Sequence, residues 1–341
     1  MSELPSSLSS FIQNLPKLEL HLHLEGAVRP ETLLELSQNK SGLREKVNEW
    51  IATRRAQQYR YGNFRGFLDA FKIVSLLIET PQDYGLATTR LMEWLAAQNV
   101  RYAEVTFAAG VVLWKKQPVD AVFEAVSAAA DEAESHTGVR VRWIFDAIRH
   151  FGTDHACEVL HWAARYISRG VVGFGIGGDE AGGPAKLFTD IFREARDLGL
   201  HTVAHAGEAC GPESIRDAVE LLGAERIGHG LTAVQDDSVM TLLRERRIPV
   251  EACPTSNVST GLIARIEDHP LPLFLKEGLV VTLNTDDPAM FGTSLEEEFL
   301  QVARCFGLTR QSLVGLCRNA VQASFLSAED KRKLEEQLPV T

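Results

Sequence analysis

Eight short apolar runs, most of them separated by amphipathic stretches, set the strongest limit on how this 341-residue chain can fold. They are LELHLHL (18–24), VRYAEVTF (100–107), VRVRWIFDAI (139–148), VVGFGIGG (171–178), HTVAHAGE (201–208), ERIGHG (225–230), IPVEACP (248–254) and LVVTLNTDD (279–287). Stretches such as 184–199 and 211–223 between them have helical periodicity. Strands alternating with helices imply βαβ units and a parallel sheet, and eight units imply a closed barrel rather than an open sheet. The expected fold is α/β, a (β/α)8 TIM-type barrel forming a single domain over residues 1–341. The interval after the first run is too long for one helix, so residues 30–98 are expected to form a helical insertion over one barrel mouth. The tail after 290 reads as extra C-terminal helices.

The ends of these runs carry the chemistry. The first ends in His21 and His23, with Glu25 just after; in a strand, residues i and i+2 project to the same side. The fifth ends in HAGE, giving His205 and Glu208, the sixth in GHG, giving His229, and the eighth in NTDDP, giving Asp286 and Asp287. Parallel barrel strands all end at one face, where active sites sit, so residues far apart in sequence are expected to converge there. Four of the ten histidines occupy such ends, and the other six are scattered.

Composition narrows the partners. A net charge of −11 argues against nucleic acid or an anionic membrane surface, since both need basic patches. No segment approaches the ~20 apolar residues of a membrane span. The N-terminus lacks the basic start and apolar core of a secretory signal. Five cysteines without framework spacing are expected to be reduced thiols in a cytoplasmic protein. The expected partner is a small molecule.

The motifs HLHLEG, HAGE, RIGHG, CPTSN and NTDDP, in this order from residue 17 to about 300, resemble the adenosine deaminase family of the amidohydrolase superfamily. Imidazole nitrogens and a carboxylate suit Zn²⁺ with a position open for water, so His21, His23, His205 and Asp286 are the expected ligands of one ion per chain. The water at such an ion ionises near neutral pH. The resemblance implies that His229 contacts the attacking water, a fourth metal ligand being the alternative. It implies that Glu208 protonates purine N1 as C6 is attacked, that Asp287 contacts N7, and that the Gly178 N–H meets the purine. Glu208 as a helix N-terminal carboxylate and Asp287 as a loop cap before Pro288 are the alternatives. Superfamily members with two metals usually carry a carboxylated lysine on the fourth strand; the nearest here is Lys186, in the next helix, which favours one metal.

GFGIGG (173–178) fits a dinucleotide fingerprint, but DEAGGPA intervenes before a helix can start at Pro184, so the match is read as chance. In the insertion, Phe64, Phe67 and Phe71 stand at helical spacing. Phe67 and Phe71 read equally as helix core or as lining of the purine or sugar pocket. Two departures bear on the substrate. Position 25 is Glu, where adenosine deaminases mostly carry Asp for the sugar 5′-hydroxyl, and the second strand leads into AAGVVLWKKQ rather than Ser-Pro-His. The expected activity is zinc-dependent hydrolytic deamination of a 6-aminopurine nucleoside, adenosine or 2′-deoxyadenosine. The alternative is 6-aminodeoxyfutalosine, a menaquinone intermediate with a benzoate at its 5′ side: AAGVVLWKKQ resembles the bacterial branch that deaminates it, and Arg149 near the same mouth could meet the benzoate, a surface salt bridge being its other reading. Adenine deamination, another metal-dependent hydrolysis and non-catalytic nucleoside binding are further alternatives that the motifs fit less well.

Overall fold

The computed structural model describes residues 5–38, 40 and 42–340. Its frame is eight strands: β1 (Lys17–His23), β2 (Val100–Phe107), β3 (Arg140–Ile148), β4 (Val171–Gly177), β5 (His201–Ala206), β6 (Arg226–His229), β7 (Val250–Ala252) and β8 (Val281–Leu283). They lie side by side in chain order, every neighbouring pair parallel. Every residue of β1 is buried, as a strand covered on both faces requires. The seam between β8 and β1 closes just past the end of β8. There the Asp286 N–H donates to the His21 carbonyl at 3.0 Å, and the Asp286 carbonyl accepts from the His23 N–H at 2.9 Å. The Asn284 side chain accepts from the Leu20 N–H at 2.9 Å and extends the seam. This is the (β/α)8 barrel expected from the eight apolar runs.

Between β1 and β2 the chain forms the helices Pro30–Leu36, Leu43–Ala56, Phe64–Leu77 and Pro81–Ala97. Asn63 caps the third, accepting from the Gly66 N–H at 2.9 Å. Thr80 and Asp83 form a reciprocal capping box on the fourth. The third helix packs on the turn Glu25–Ala27 at the C-terminal end of β1, which sets it over the barrel mouth. Beyond β8 come the helices Leu295–Phe306, Arg310–Ala323 and Ala328–Glu335, and Arg310–Ala323 packs against β8 and β1. No helix opens directly at the glycines of β4. A 3-10 turn begins after Pro184, and the α-helix only at Thr189. Among the described residues, no helix is long and apolar enough to cross a membrane.

The barrel interior also holds charges. Arg226 is fully buried, with Nη1 2.6 Å from Glu104 and Nε 2.5 Å from Glu251. It also donates to the Ala323 carbonyl at 3.1 Å. Its guanidinium lies 3.9 Å from the centroid of the Phe325 ring. A buried charge survives only when paired and hydrogen-bonded, and removing one partner strands the others. Arg226→Leu should therefore cost ~3–5 kcal/mol of stability in denaturant unfolding. Adding Glu104→Gln should restore part of it; a loss below ~1 kcal/mol, the scale of an exposed pair, would contradict the network.

Candidate active site

The strand ends bring His21, His23, His205, His229 and Asp286 together at the C-terminal mouth. Nε2 of His21 and of His23 lie 3.3 and 3.2 Å from the same Asp286 oxygen, Oδ1, and the His23 and His205 Nε2 atoms are 3.2 Å apart. His229 faces the other oxygen, Oδ2, at 3.9 Å, and stands 3.6 Å from Glu208. Donor atoms of His21, His205, His229 and Asp286 all fall within 4.8 Å of one another.

Three of the four rings are held from behind. His21 Nδ1 meets Glu251 Oε2 at 2.8 Å, and Glu251 is itself held by Arg226. His205 Nδ1 lies 3.2 Å from the Ile176 carbonyl, which can only accept. Nδ1 of the His205 ring therefore carries the proton, and Nε2 presents a lone pair. Asn257 donates its amide N–H to Nδ1 of His229 at 3.2 Å, which leaves the proton of that neutral ring on Nε2, and Ser256 donates to Asp286 Oδ2 at 2.7 Å. The buried Nε2 atoms of His21 and His229 have no hydrogen-bond partner among the described residues. The lone pair of His205 and the Asp286 carboxylate, within 4.8 Å of each other, repel unless a cation sits between them. The donor set therefore fits a metal, with a carboxylate–histidine pair behind it.

The electrostatics follow from this crowding. Burial opposes the charge on Asp286, yet the imidazoles of His21 and His23 hold its carboxyl well below the usual range. Burial likewise opposes a charged His21, but Asp286 and Glu251 outweigh it and carry its pKa to about 10. Burial keeps His205 and His229 neutral, His229 down to about 3. Glu208 is the reverse case: burial, then the charges of Asp286 and Glu180, push its carboxyl well above the usual range. Asp287 is raised by burial and then by Asp286.

Glu208 sits in a built loop. Glu180 accepts from the Gly207, Ala209 and Cys210 N–H groups at 2.6, 2.9 and 3.0 Å and from the Ser214 hydroxyl at 2.5 Å, clamping both sides of it. No helix starts at Glu208; the next begins at Pro212. Asp287 makes no cap with its side chain, and its Oδ1 is buried without a partner. Gly26 gives it room, since a Cβ there would lie 1.6 Å from that oxygen.

Above the cluster opens a cavity of about 360 Å³. Its inner end is lined by His23, His205, Glu208, His229, Asp286 and Asp287, and Gly178 lines it too. Gly178 has φ +90°, where a side chain would be strained. Phe67 and Phe71 line the outer wall, and Phe67 also packs on Tyr61 and Phe291, so it serves both core and pocket. Two residues singled out in the sequence lie elsewhere. Glu25 is buried behind the wall, accepting from the Ala108 N–H at 3.3 Å, and burial raises its pKa to about 7. Arg149 is buried too, donating to the Gly183 and His205 carbonyls at 2.6 and 2.7 Å, so it braces the loops instead of facing the cavity.

Several residues here escaped the sequence reading. Glu251 lies within the apolar run IPVEACP, Glu180 within GGDEAGG, and Ser256 and Asn257 within CPTSN. Asp146 of β3 lines the cavity, and burial raises its pKa to about 8. The available signal was a carboxylate inside a strand that a closed barrel buries, which needs a partner.

A family profile described as "Adenosine deaminase" matches residues 16–340. The aminodeoxyfutalosine deaminase of Streptomyces coelicolor is 37% identical over 338 residues, 98% of this chain and 87% of that protein. The adenosine deaminase of Clostridium perfringens strain SM101 is 33% identical over 328 residues, covering 94% and 97%. The crystal structure of an amidohydrolase from Burkholderia ambifaria with bound Zn superposes with a TM-score of 0.87 at 28% identity, covering 98% and 92%.

Gln at position 251 has a single acceptor oxygen, so either Arg226 or His21 loses its partner. Glu251→Gln should thus weaken metal affinity roughly 10- to 100-fold, read by competition with a chelator; unchanged affinity would remove Glu251 from the site's support.

Proposed function

The chain belongs to the adenosine deaminase family, and from that premise we propose that it hydrolytically deaminates a 6-aminopurine nucleoside, releasing ammonia, with one Zn²⁺ per chain. The observation that carries this reading is geometric: Glu208, whose carboxyl burial pushes above the usual range, stands 3.6 Å from His229 and beside a His/Asp donor set at the bottom of one cavity. His21, His23, His205 and Asp286 would hold the ion, because His21 and His23 share one Asp286 oxygen while His229 faces the other and Glu208. When bound, the ion supplies an acidified water as nucleophile. His229 orients that water through Nε2. Glu208 delivers its proton to purine N1, where electrons collect as C6 is attacked. Asp287, raised toward its protonated form, hydrogen-bonds N7, and the Gly178 N–H contacts the ring from the opposite wall. Phe67 and Phe71 cover the base and exclude water. Lys186 lies in the turn Ala185–Phe188 and does not line the cavity, in keeping with a single ion.

A 5′-modified nucleoside of the 6-aminodeoxyfutalosine type is the second substrate reading. It is favoured by the Streptomyces relative and by Glu25, whose position behind the wall removes it as a direct acceptor for a 5′-hydroxyl.

Two variants test the reaction. Glu208→Gln keeps the size but has no proton to give, so kcat for ammonia release should fall ~10²-fold or more with metal retained. His23→Ala should lose both metal and rate, because an incomplete site loses geometry and affinity together. Full metal and full rate in His23→Ala, or unchanged kcat in Glu208→Gln, would overturn these roles.

A further inference from the structure

The outer half of the cavity is built differently from the inner half. Trp114, from the short helix Ala109–Trp114 after β2, and Phe151, just past β3, form one side of the cavity wall. Their ring planes are within 17° of parallel, with centroids 6.2 Å apart. Trp114 is 42% exposed, although large aromatics usually gain by burial. Lys72, on the helix Phe64–Leu77, places its Nζ 5.1 Å from the Trp114 ring centroid.

The other charged or titratable groups around this mouth are already engaged. Arg65 lies 3.6 Å from Asp69. Asp179 accepts from the Gly182 N–H at 3.0 Å, and its own N–H points to His150 Nδ1 at 3.5 Å. Lys72 has no ion-pair partner among the described residues. The mouth therefore offers an exposed Trp114, a half-buried Phe151 stacked on it and, over the Trp114 ring, an ammonium without an ion-pair partner among the described residues.

A nucleoside with its base over the His/Asp cluster directs its 5′ side toward this mouth. One ending in a plain hydroxyl would leave Trp114 and Phe151 bare. We propose that Trp114, Phe151 and Lys72 form a subsite for an anionic aromatic group carried on the 5′ side of the substrate, the rings stacking on it and Lys72 pairing with its carboxylate. The inference rests on the nucleoside deamination proposed above, and it moves the cation for such a group from Arg149 to Lys72.

Ammonia release from three probes tests it on the metal-loaded enzyme: 6-aminodeoxyfutalosine, its uncharged carboxamide analogue and 5′-deoxyadenosine. Wild type should favour the carboxylate over the carboxamide in kcat/KM by about fivefold, the upper scale of a partly exposed charge pair, and salt should shrink that preference. In Lys72→Met the carboxylate-to-carboxamide ratio should approach one. Trp114→Ala should instead lower the preference for both aryl probes over 5′-deoxyadenosine by roughly tenfold, the scale of an aromatic pair. An unchanged carboxylate-to-carboxamide ratio in Lys72→Met, or no aryl preference in wild type, would overturn the subsite while deamination of 5′-deoxyadenosine upheld the reaction. Release of ammonia from none of the probes would overturn both.

Discussion

The barrel closes through the backbone of the residue whose carboxylate centres the site. Asp286 bonds to β1 on both sides, giving its N–H to His21 and taking that of His23. Its carboxylate then meets the imidazoles of those same two residues. Closure and donor geometry are thus one constraint: a shift in the β8–β1 register would break both. Asp286 pays for this position with a left-handed backbone, φ +64°, and His229 does likewise at +62°. Such conformations cost of order 1–3 kcal/mol each for residues with side chains, and persist only where the surroundings over-determine them. Here Glu19 anchors the preceding Thr285 through both its N–H, at 2.7 Å, and its hydroxyl, at 2.9 Å.

Below the site runs a column of buried charge from Glu104 through Arg226 and Glu251 to His21. Apolar residues would fill that space at less risk to stability. What they would not do is fix an imidazole with its proton on Nδ1 and its lone pair toward the mouth. Glu180 does the corresponding work for the HAGE loop. Both carboxylates accept hydrogen bonds from fixed donors and leave no freedom to the groups they hold, as a site tuned to a fraction of an ångström requires.

The strands and the four histidines at their ends were legible because two periodicities coincide. Alternation along a strand and the common direction of all eight strands send His21, His23, His205 and His229 to one face whatever the loops do; Asp286, past the end of β8, joins them through its backbone bonds to β1. Glu25 and Arg149 were harder to place because both lie just beyond strand ends, where the period of two lapses and loop geometry decides. Glu25 turns into the wall on a 3-10 turn, and Arg149 folds under the loops that carry Gly183 and His205. Glu251 stayed hidden for a different reason: a single acidic residue in an apolar run reveals its position but not its partner, and Arg226 comes from the neighbouring strand. The aromatic mouth was half legible, since the segment after β2 was flagged, but its pairing with Phe151 and Lys72 depends on three elements meeting in space.

Carboxyl groups crowd the inner cavity, and they cannot all be charged together. The imidazoles hold the Asp286 carboxyl well below the usual range, and burial, then the Asp286 charge, pushes Glu208 and Asp287 well above it. Burial does the same for Asp146. Pairs of titratable groups driven apart in this way are how a single site holds both a charged ligand and a proton donor at neutral pH. A cation held by these donors would stabilise the Asp286 anion and would oppose the upward shift of Glu208, because a positive charge nearby favours loss of its proton. Under the proposed reaction, acid and metal ligand would thus be coupled through Asp286, the same residue that closes the barrel.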